Sequence, residues 1–389
     1  MAADARSTTI PPALTSDPAM RAGAILTVDI AAAVANYRRL QAELGGTTTC
    51  GAVVKADAYG LGVERLAPAF VKAGARHLFV ATIDEALTLR SRLTAAGWSA
   101  IRIYVLNGPL PGTEDDLVAA GITPVLNSLA GIALWAAAAR RHETRLPAWL
   151  HVDTGMSRLG LPDDEIASLA ADPAPLAPIR LDGIMSHLAC ADMPSHPENE
   201  AQRARLQQAC ARLPAAPISF ANSSGIFLGS SYRFDLARPG VALYGVNPTP
   251  VASNPMMPVV RLMGRVLQVR QIDDHRGVGY GSSFRANGPT RIATIAAGYA
   301  DGYLRSLSNS GQIAAKGQLL PVVGRVSMDS ITVDASNLPA HALNPGDMVD
   351  LIGPAHDLDT LAAEAGTIGY EILTALGRRY HRVYSGGDT

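Results

Sequence analysis

Residues 51–62 form the stretch Gly51-Ala-Val-Val-Lys-Ala-Asp-Ala-Tyr-Gly-Leu-Gly62, in which a short apolar run ends in a lysine and a glycine-containing turn follows. Such a run is typical of a buried strand. The chain of 389 residues has only three lysines, Lys55, Lys72 and Lys316, and 30 arginines among its 33 basic residues. Arginine keeps its proton, whereas a desolvated lysine amine can lose it and form a Schiff base. Lys55 is therefore a candidate catalytic amine; the alternative is a lysine that snorkels from a strand end.

Seven further apolar runs follow this one along the chain, and segments with the apolar spacing of helices separate them. Strands that alternate with helices form a parallel sheet. A count of eight favours a closed (β/α)8 barrel, of the TIM type, over an open doubly wound sheet. The eight runs cover residues 51–55, 77–81, 101–107, 123–127, 148–153, 181–187, 218–222 and about 234–244.

Polar residues end most of these runs. Barrel enzymes carry their catalytic groups at the carboxyl ends of the strands, so this pattern predicts a site there. Strands often end in polar residues because the loops that follow are exposed to solvent, which explains some of these residues. It does not readily explain a lysine, a histidine and asparagines that converge from separate strands. The residues at these ends are Lys55, Asn107, Asn127, Asp153, His187 and Asn222.

After about residue 255 the alternation of strand-like and helical segments gives way to mostly strand-like segments, which predicts a second, mostly-β domain. Strand-like segments there are separated by glycine, Asp-Gly and Asn-Gly turn signals. We therefore expect a flexible tail at residues 1–22, a barrel domain at 23–255 and a β domain at 256–389. The strand-like segments are 259–271, 291–297, 318–323, 330–333, 347–352 and 379–384, with a helical segment at 361–376.

Composition excludes several classes of function. A formal net charge of −1 gives no electrostatic case for binding nucleic acid or an anionic membrane. No apolar stretch reaches the roughly 18 residues of a transmembrane helix, and the first 23 residues lack a signal-peptide core. Cys50, Cys190 and Cys210 show no CxxC spacing, so we expect free thiols, no metal site and a cytoplasmic protein.

Residues 52–62 closely resemble the pyridoxal-phosphate attachment motif of alanine racemases. Eight further segments match that family in order, over nearly the whole chain beyond the first 20 residues or so. The resemblance implies a barrel with a C-terminal β domain, a homodimer paired head-to-tail, pyridoxal 5′-phosphate as cofactor and alanine as substrate. The further segments are 152–160, 186–192, 221–223, 238–245, 279–281, 297–302, 324–329 and 367–371.

The resemblance also implies two bases on opposite faces of the substrate's α-carbon. Lys55 would hold the cofactor as an aldimine and, once freed by the substrate, handle the proton of the D-enantiomer. Tyr280, contributed by the other subunit, would handle the proton of the L-enantiomer. Because a phenol with a pKa near 10 is a weak base at neutral pH, neighbours such as His187 and Arg238 would have to poise it. Arg238 would face the pyridine nitrogen, where it leaves the ring a weaker electron sink than a carboxylate would.

The remaining site residues also follow from the resemblance. The cofactor contacts would be Lys55, Tyr59, His187, Asn222, Ser223, Arg238, Gly240, Val241 and Tyr370, the phosphate being bound by hydroxyls and backbone N–H groups. The substrate contacts would be Arg158, Tyr299 and the backbone N–H of Met328, the last from the partner subunit. Asp192, Arg305 and Arg325 would line an outer corridor.

Two positions depart from the family pattern. His151 stands where many members carry a carbamylated lysine, so Arg158 must be positioned otherwise, by His151 or by a bound anion. Ser219 stands where the family often has a histidine that supports the pyridine-facing arginine. We therefore expect weaker or water-mediated support for Arg238.

The function predicted is alanine racemisation, which supplies D-alanine for peptidoglycan or interconverts the isomers in catabolism. A racemase for serine or for several amino acids on the same scaffold is the alternative from the same class. A non-catalytic carrier of pyridoxal phosphate would lack the second domain and its tyrosine. A decarboxylase would be expected to place a carboxylate, not Arg238, at the ring nitrogen.

Overall fold

The first domain is built on parallel strands, as the alternating pattern predicts. The computed structural model of the protein describes residues 17–387. Seven strands pair in sequence order, every pair parallel. These strands are Ala52–Val53, His77–Val80, Arg102–Val105, Thr123–Leu126, Leu146–His151, Ile179–Met185 and Ile218–Ser219.

An eighth strand closes the ring. Leu236–Ala237 pairs in parallel with Thr49–Cys50, which directly precedes the first strand of the sheet. On its other side, the Asp235 N–H donates to the Ile218 carbonyl (3.0 Å) and the Arg238 N–H donates to the Ala221 carbonyl (2.8 Å). The predicted (β/α)8 barrel is thus confirmed.

Helices cover the outside of the barrel, and four of the seven described there have a side-chain cap at the N-terminus. Thr82 and Glu85 form a capping box, Ser128 caps a later helix through the Gly131 N–H (3.1 Å), and Asp29 caps the first through Ala32. The α-helices are Ile30–Glu43, Val63–Lys72, Ile83–Ala95, Glu114–Ala119, Leu129–Arg141, Asp163–Ala171 and Pro197–Arg212. Short 3₁₀ turns at Ala174–Leu176, Gly225–Leu228, Ser230–Tyr232 and Val241–Tyr244 complete this domain.

The second domain is mostly β, as its turn signals predict. Its helical segment is divided into two helices, Leu358–Glu364 and Gly369–Ala375, because Gly366 adopts a φ of +69° between them. A small ribbon pairs Gly277–Val278 with Phe284–Arg285, and 3₁₀ turns lie at Tyr280–Ser282, Tyr299–Asp301 and Arg305–Leu307. The strands of its main sheet are Ala24–Asp29, Val260–Ile272, Thr290–Ile295, Gln312–Ala315, Gln318–Pro321, Ile331–Asp334, Met348–Ile352 and His381–Ser385.

One strand lies outside the domain to which the sequence assigns it. Ala24–Asp29, expected in the barrel domain at 23–255, pairs antiparallel with Val260–Gly264 and parallel with His381–Ser385. A strand followed at once by a capped helix has the local pattern of a barrel repeat. Its partners in the sheet are far along the chain, so that local pattern does not identify them.

The tail expected at residues 1–22 is described only in part. Residues 1–16 lie outside the described residues. Pro18–Arg21 forms one helical turn capped by Asp17, and the Arg265 guanidinium donates to the carbonyls of Ala19 and Ala22 at 3.0 Å each. Within residues 17–387, no helix combines the length and the apolar character that crossing a membrane requires.

Candidate active site

A cavity of about 790 Å³ opens at the carboxyl ends of the barrel strands. Every residue predicted to contact the cofactor lines it, and so does Arg158. The predicted residues around the cavity are Lys55, Tyr59, Arg158, His187, Asn222, Ser223, Arg238, Gly240, Val241 and Tyr370. The structure therefore brings these predicted residues, which come from separate strands, together around one cavity.

Lys55 follows the strand Ala52–Val53 and points its side chain into this cavity. Burial lowers the pKa of its amine, the Arg158 guanidinium lowers it further, and the Glu85 carboxylate opposes the shift. A lowered pKa increases the fraction of neutral amine, which is the nucleophilic form. The site thus favours the chemistry that singled out Lys55 in the sequence.

The backbone after Lys55 takes a left-handed turn. Ala56, Asp57, Ala58 and Tyr59 have φ values of 52°, 54°, 54° and 57°, although none of them is a glycine. This conformation costs L-residues about 1–2 kcal/mol each, because the Cβ atom approaches the following carbonyl oxygen. Four such residues in succession require support from the surrounding structure. The sequence contains no signal for this turn beyond the glycines that end it.

The end of the cavity near Ser223 is built to receive an anion. Ser223 Oγ accepts hydrogen bonds from the N–H groups of Gly240 (2.9 Å) and Ala242 (3.2 Å), so its own hydroxyl hydrogen is left to donate elsewhere. The Gly240 N–H, predicted to donate to the phosphate, instead donates to Ser223 Oγ. A Cβ atom at Gly240 would lie 2.3 Å from Tyr59 Oη, so only glycine lets this phenol reach the backbone.

The two predicted phosphate-binding tyrosines remain hydrogen-bond donors. Their rings pack with centroids 6.0 Å apart. Burial raises the pKa of Tyr59 well above its usual value, and burial with the nearby Asp192 raises the pKa of Tyr370 to about 12. Both phenols keep their protons at neutral pH and can donate to a dianion.

Arg238 is a buried cation, with only 5% of its surface exposed. It donates to Ser219 Oγ, to the Ser186 carbonyl (2.6 Å) and to His187 Nδ1 (3.5 Å). No carboxylate within residues 17–387 pairs with it. Burial lowers its pKa to about 10, so it stays protonated at neutral pH. Burying a charge without an opposite charge is costly, and an electron-rich ligand in the cavity would offset that cost.

Ser219 supports Arg238 directly, whereas the sequence suggested weaker or water-mediated support. Its hydroxyl donates to the Leu236 carbonyl (2.5 Å), so the oxygen can only accept from the Arg238 guanidinium. Because the Ser219 hydroxyl hydrogen is already donated to Leu236, its oxygen is free to accept from Arg238. Serine can therefore support this arginine where the family often has a histidine.

Two histidines beside the cavity are neutral. Burial and the Arg238 charge lower the pKa of His187 well below its usual value. Burial, Arg238 and Arg158 lower the pKa of His151 to about 4, although Asp153 opposes the shift. A neutral imidazole has one protonated nitrogen, so its hydrogen bonds decide which nitrogen faces the ligand.

Asn127 fixes the tautomer of His151. The Asn127 amide donates to the carbonyls of Leu106 (3.0 Å) and Val125 (3.2 Å), so its oxygen must be the atom that meets His151 Nδ1 at 2.7 Å. The His151 Nδ1–H therefore donates, and Nε2 carries the free lone pair. In place of a carbamate, the site has an uncharged acceptor next to Arg158.

Three predicted residues lie outside the cavity of their own chain. Tyr280, Tyr299 and Met328 belong to the second domain and are 70%, 43% and 52% exposed. They share one surface, which we call the tyrosine patch: the Ala300 N–H donates to the Met328 carbonyl (3.0 Å), and the turn around Tyr280 packs on Arg325. The resemblance places these residues in a partner's site, which agrees with their exposure.

The charges around the cavity suit an anionic ligand. Lys55, Arg158 and Arg238 line it, and Glu371 is the carboxylate among the described lining residues. The Arg158 and Arg238 guanidinium groups would complement an anionic ligand, whereas Lys55, with its lowered pKa, supplies a nucleophilic amine. A pyridine nitrogen would accept from Arg238, and Ser223 with two phenols would donate to the phosphate, so the donor set fits pyridoxal phosphate.

Sequence comparison identifies the family that this site resembles. The alanine racemase N-terminal domain matches residues 28–248, and the alanine racemase C-terminal domain matches residues 259–384. A catabolic alanine racemase of Mesorhizobium japonicum is 52% identical over 366 residues, 94% of this chain and 94% of that protein. An alanine racemase of Rhodospirillum rubrum is 49% identical over 366 residues, 94% of this chain and 97% of that protein.

Structure comparison gives the same family. The crystal structure of alanine racemase from Bartonella henselae, with covalently bound pyridoxal phosphate, superposes with a TM-score of 0.89 at 45% identity. The match covers 93% of this chain and 99% of that one.

Proposed function

The chain belongs to the alanine racemase family, and we propose that its barrel cavity binds pyridoxal 5′-phosphate and interconverts L-alanine and D-alanine between Lys55 and the partner subunit's Tyr280. One observation carries the proposal: Lys55, with a lowered pKa, lines the same cavity as Arg238, a buried cation that pairs with no carboxylate of residues 17–387. That pair fits a ligand with an aldehyde at one position and a basic ring nitrogen at another.

The residues divide the binding of the cofactor among them. The Lys55 amine would hold the aldehyde carbon, and Arg238 would donate to the ring nitrogen. The hydroxyls of Ser223, Tyr59 and Tyr370 would bind the phosphate together with the Val241 N–H, and Gly240 would contribute by orienting Ser223. His187 would contact the ring, and Asn222 fixes its own loop by accepting from the Gly225 N–H (2.8 Å).

The protein residues then remove and return the α-proton of the substrate. When bound, pyridoxal phosphate delocalises the electrons left when the α-proton of an attached amino acid is removed. Arg158 binds the substrate carboxylate and so fixes which bond faces each base. The Lys55 amine takes or returns the proton on one face of the α-carbon. The Tyr280 hydroxyl does the same on the other face, and general acid–base groups of this kind contribute about 10²–10⁴-fold to rate.

The tyrosine patch requires a second copy of the chain. Apolar and aromatic side chains with this exposure mark an interaction surface, and the mouth of the barrel cavity also exposes Leu159, Ile368 and Tyr370. We propose that the two surfaces meet in a homodimer that contains two shared sites. The three free thiols, Cys50, Cys190 and Cys210, suit a cytoplasmic enzyme.

Mixing two inactive variants tests the shared site. Lys55→Arg and Tyr280→Phe each inactivate both sites of their own dimer. After dissociation and reassociation, a mixed dimer has one site that combines an intact Lys55 with an intact Tyr280. Random mixing should restore about a quarter of wild-type activity, because half of the dimers carry one intact site of two. No recovery, with mixed dimers demonstrated by mass, would contradict the proposal.

Solvent exchange and fixation test the reaction itself. In deuterium oxide, each racemised alanine should carry one solvent deuterium on its α-carbon. Borohydride treatment of the holoenzyme should attach the cofactor to the peptide that contains Lys55. Racemisation without deuterium incorporation, or fixation at another residue, would contradict the assignment. Turnover of L-serine measured beside L-alanine determines whether the broader-specificity alternative applies.

A further inference from the structure

The left-handed turn that carries Lys55 lies between two cavities. Residues of this turn line the active-site cavity on one side, through Lys55, Ala56 and Tyr59. On the other side Asp57 and Gly62 line a second cavity, of about 550 Å³. Burial of Ala58 and Tyr59 anchors the middle of this strained segment, and hydrogen bonds hold the peptide groups at its two ends.

At the start of the turn, one carboxylate holds the peptide bond that follows Lys55. The Ala56 N–H donates to Glu85 Oε1 at 2.7 Å. The other oxygen, Glu85 Oε2, accepts from the N–H groups of Ala81 (2.8 Å) and Thr82 (3.2 Å). Glu85 thereby joins the Lys55 turn to the end of the neighbouring barrel strand.

At the far end of the turn, the last strand of the second domain holds two carbonyls. Arg382 Nη1 donates to the Gly60 carbonyl at 2.6 Å, and the Tyr384 hydroxyl donates to the Leu61 carbonyl at 3.1 Å. These contacts lie five and six residues from Lys55. The Glu85 contact, by contrast, acts on the peptide group of Lys55 itself.

We propose that Glu85 is a positioning residue for Lys55: its carboxylate holds the Lys55–Ala56 peptide in the left-handed turn and so aims the amine at the cofactor aldehyde. The inference rests on the proposed role of Lys55. Glu85 is absent from the residues that line the active-site cavity, so it would act through the turn and not on the cofactor itself.

Glu85 also closes a helix capping box, so the test must separate the two roles. Glu85→Gln keeps the length of the side chain. However, an amide has one acceptor oxygen and one donor group, and it cannot accept from N–H groups at both of its ends. Thr82→Ala is the matched control. It removes the hydroxyl that accepts from the Glu85 N–H at 3.4 Å and leaves the Glu85 carboxylate in place.

The experiment compares wild type and both variants after removal of cofactor. Added pyridoxal phosphate is followed by the absorbance band at about 420 nm that reports its covalent attachment. We expect the attachment rate to fall about tenfold in Glu85→Gln and to change by less than about twofold in Thr82→Ala. Hydrogen exchange in the cofactor-free protein should accelerate at residues 55–62 in Glu85→Gln alone. Thermal unfolding should lose roughly the same few degrees in both variants.

A rescue variant guards against simple misfolding. Glycine adopts positive φ without steric cost, so Ala56→Gly should recover part of the attachment rate in the Glu85→Gln background. Wild-type attachment in Glu85→Gln would overturn the inference, and so would equal slowing in Thr82→Ala. Failure of wild type to fix the cofactor on Lys55 would instead overturn the proposed function, and the exchange at residues 55–62 would still test the turn.

Discussion

The barrel cavity and the tyrosine patch differ in how complete they are within one chain. In the cavity, Arg238, Ser219 and His151 all have partners, and burial shifts the pKa values of Lys55, Arg238 and both histidines. On the patch, Tyr280 is 70% exposed. The groups of the cavity are therefore held within one chain, whereas the patch exposes its tyrosines, as the proposed homodimer would require.

The backbone under the patch is nevertheless firmly held. Arg379 Nε lies 3.0 Å from Asp301 Oδ1, and Arg379 Nη1 lies 2.7 Å from Asp329 Oδ1. Asp301 also accepts from the Gly298 N–H (2.9 Å), which fixes the turn that carries Tyr299. The patch is a rigid surface with free side-chain tips, which favours docking with little rearrangement.

The largest effect should come from the cavity side. Lys55→Arg replaces the amine with a group that keeps its proton, so we expect racemisation to fall by at least about 10⁴-fold with thermal unfolding little changed. Lys72→Arg, at an exposed lysine, is the control and should retain wild-type activity. Polarimetry with L-alanine measures both. Appreciable activity in Lys55→Arg would contradict the assignment of the catalytic amine to Lys55 in the cavity.

A smaller effect should come from the patch. Tyr280→Phe should lower the rate by about 10²–10⁴-fold while cofactor affinity stays unchanged, because the patch contributes a base and not the cofactor site. Tyr232→Phe removes a hydroxyl that meets Glu200 at 3.2 Å on the surface and serves as the control. Cofactor titration beside the rate separates the two functions. Loss of cofactor binding in Tyr280→Phe would contradict the division between cavity and patch.

A third effect concerns the support of the buried cation. Ser219→Ala removes the acceptor of Arg238 Nη1 and leaves a buried charged donor unpaired, which should cost about 1–3 kcal/mol of the free energy of unfolding. The exposed Ser230→Ala should change it by less than about 0.5 kcal/mol. Urea unfolding of the cofactor-free protein measures the difference. Equal stability of the two variants would show that Arg238 does not depend on Ser219.

The smallest effect is a pH dependence of stability. Burial lowers the pKa values of His77 and His151 from about 6.5 to about 4. Between these values the unfolded chain binds the extra proton and the folded chain does not, so stability is full above pH 6.5 and falls as the pH drops towards 4. At pH 5.5 the loss should be roughly 1 kcal/mol for each histidine. In urea unfolding between pH 5.5 and 7.5, His151→Gln should show a shallower dependence than wild type; the same slope would contradict the assignment to His151.

The sequence predicted the barrel and the cavity well because their signals are local. Each strand contains a short apolar run, and several runs end in a polar residue that lines the cavity. Lys55, His187 and Asn222 could therefore be found without any knowledge of the pairing. The match to family motifs added Arg238, Ser223 and the patch, which the spacing alone does not reveal.

What the sequence did not reveal depends on distant contacts. The strand Ala24–Asp29 was assigned to the barrel domain because its pairing partners lie more than two hundred positions away. The left-handed turn occurs at Ala56–Tyr59, where no residue is a glycine, so the residue types do not predict positive φ there. Glu85 has the sequence signature of a helix cap, and only the structure shows that the same carboxylate reaches the Lys55 turn.

The pairing of Ala24–Asp29 with His381–Ser385 has a consequence for how this protein is made. That strand is translated before the barrel, and both of its partners in the sheet follow the barrel in the chain. Until these partners are translated, its edge offers unpaired N–H and C=O groups to any other nascent chain. Release of the polypeptide before residue 381 would therefore leave one edge of the strand Ala24–Asp29 unpaired, an edge that His381–Ser385 otherwise covers.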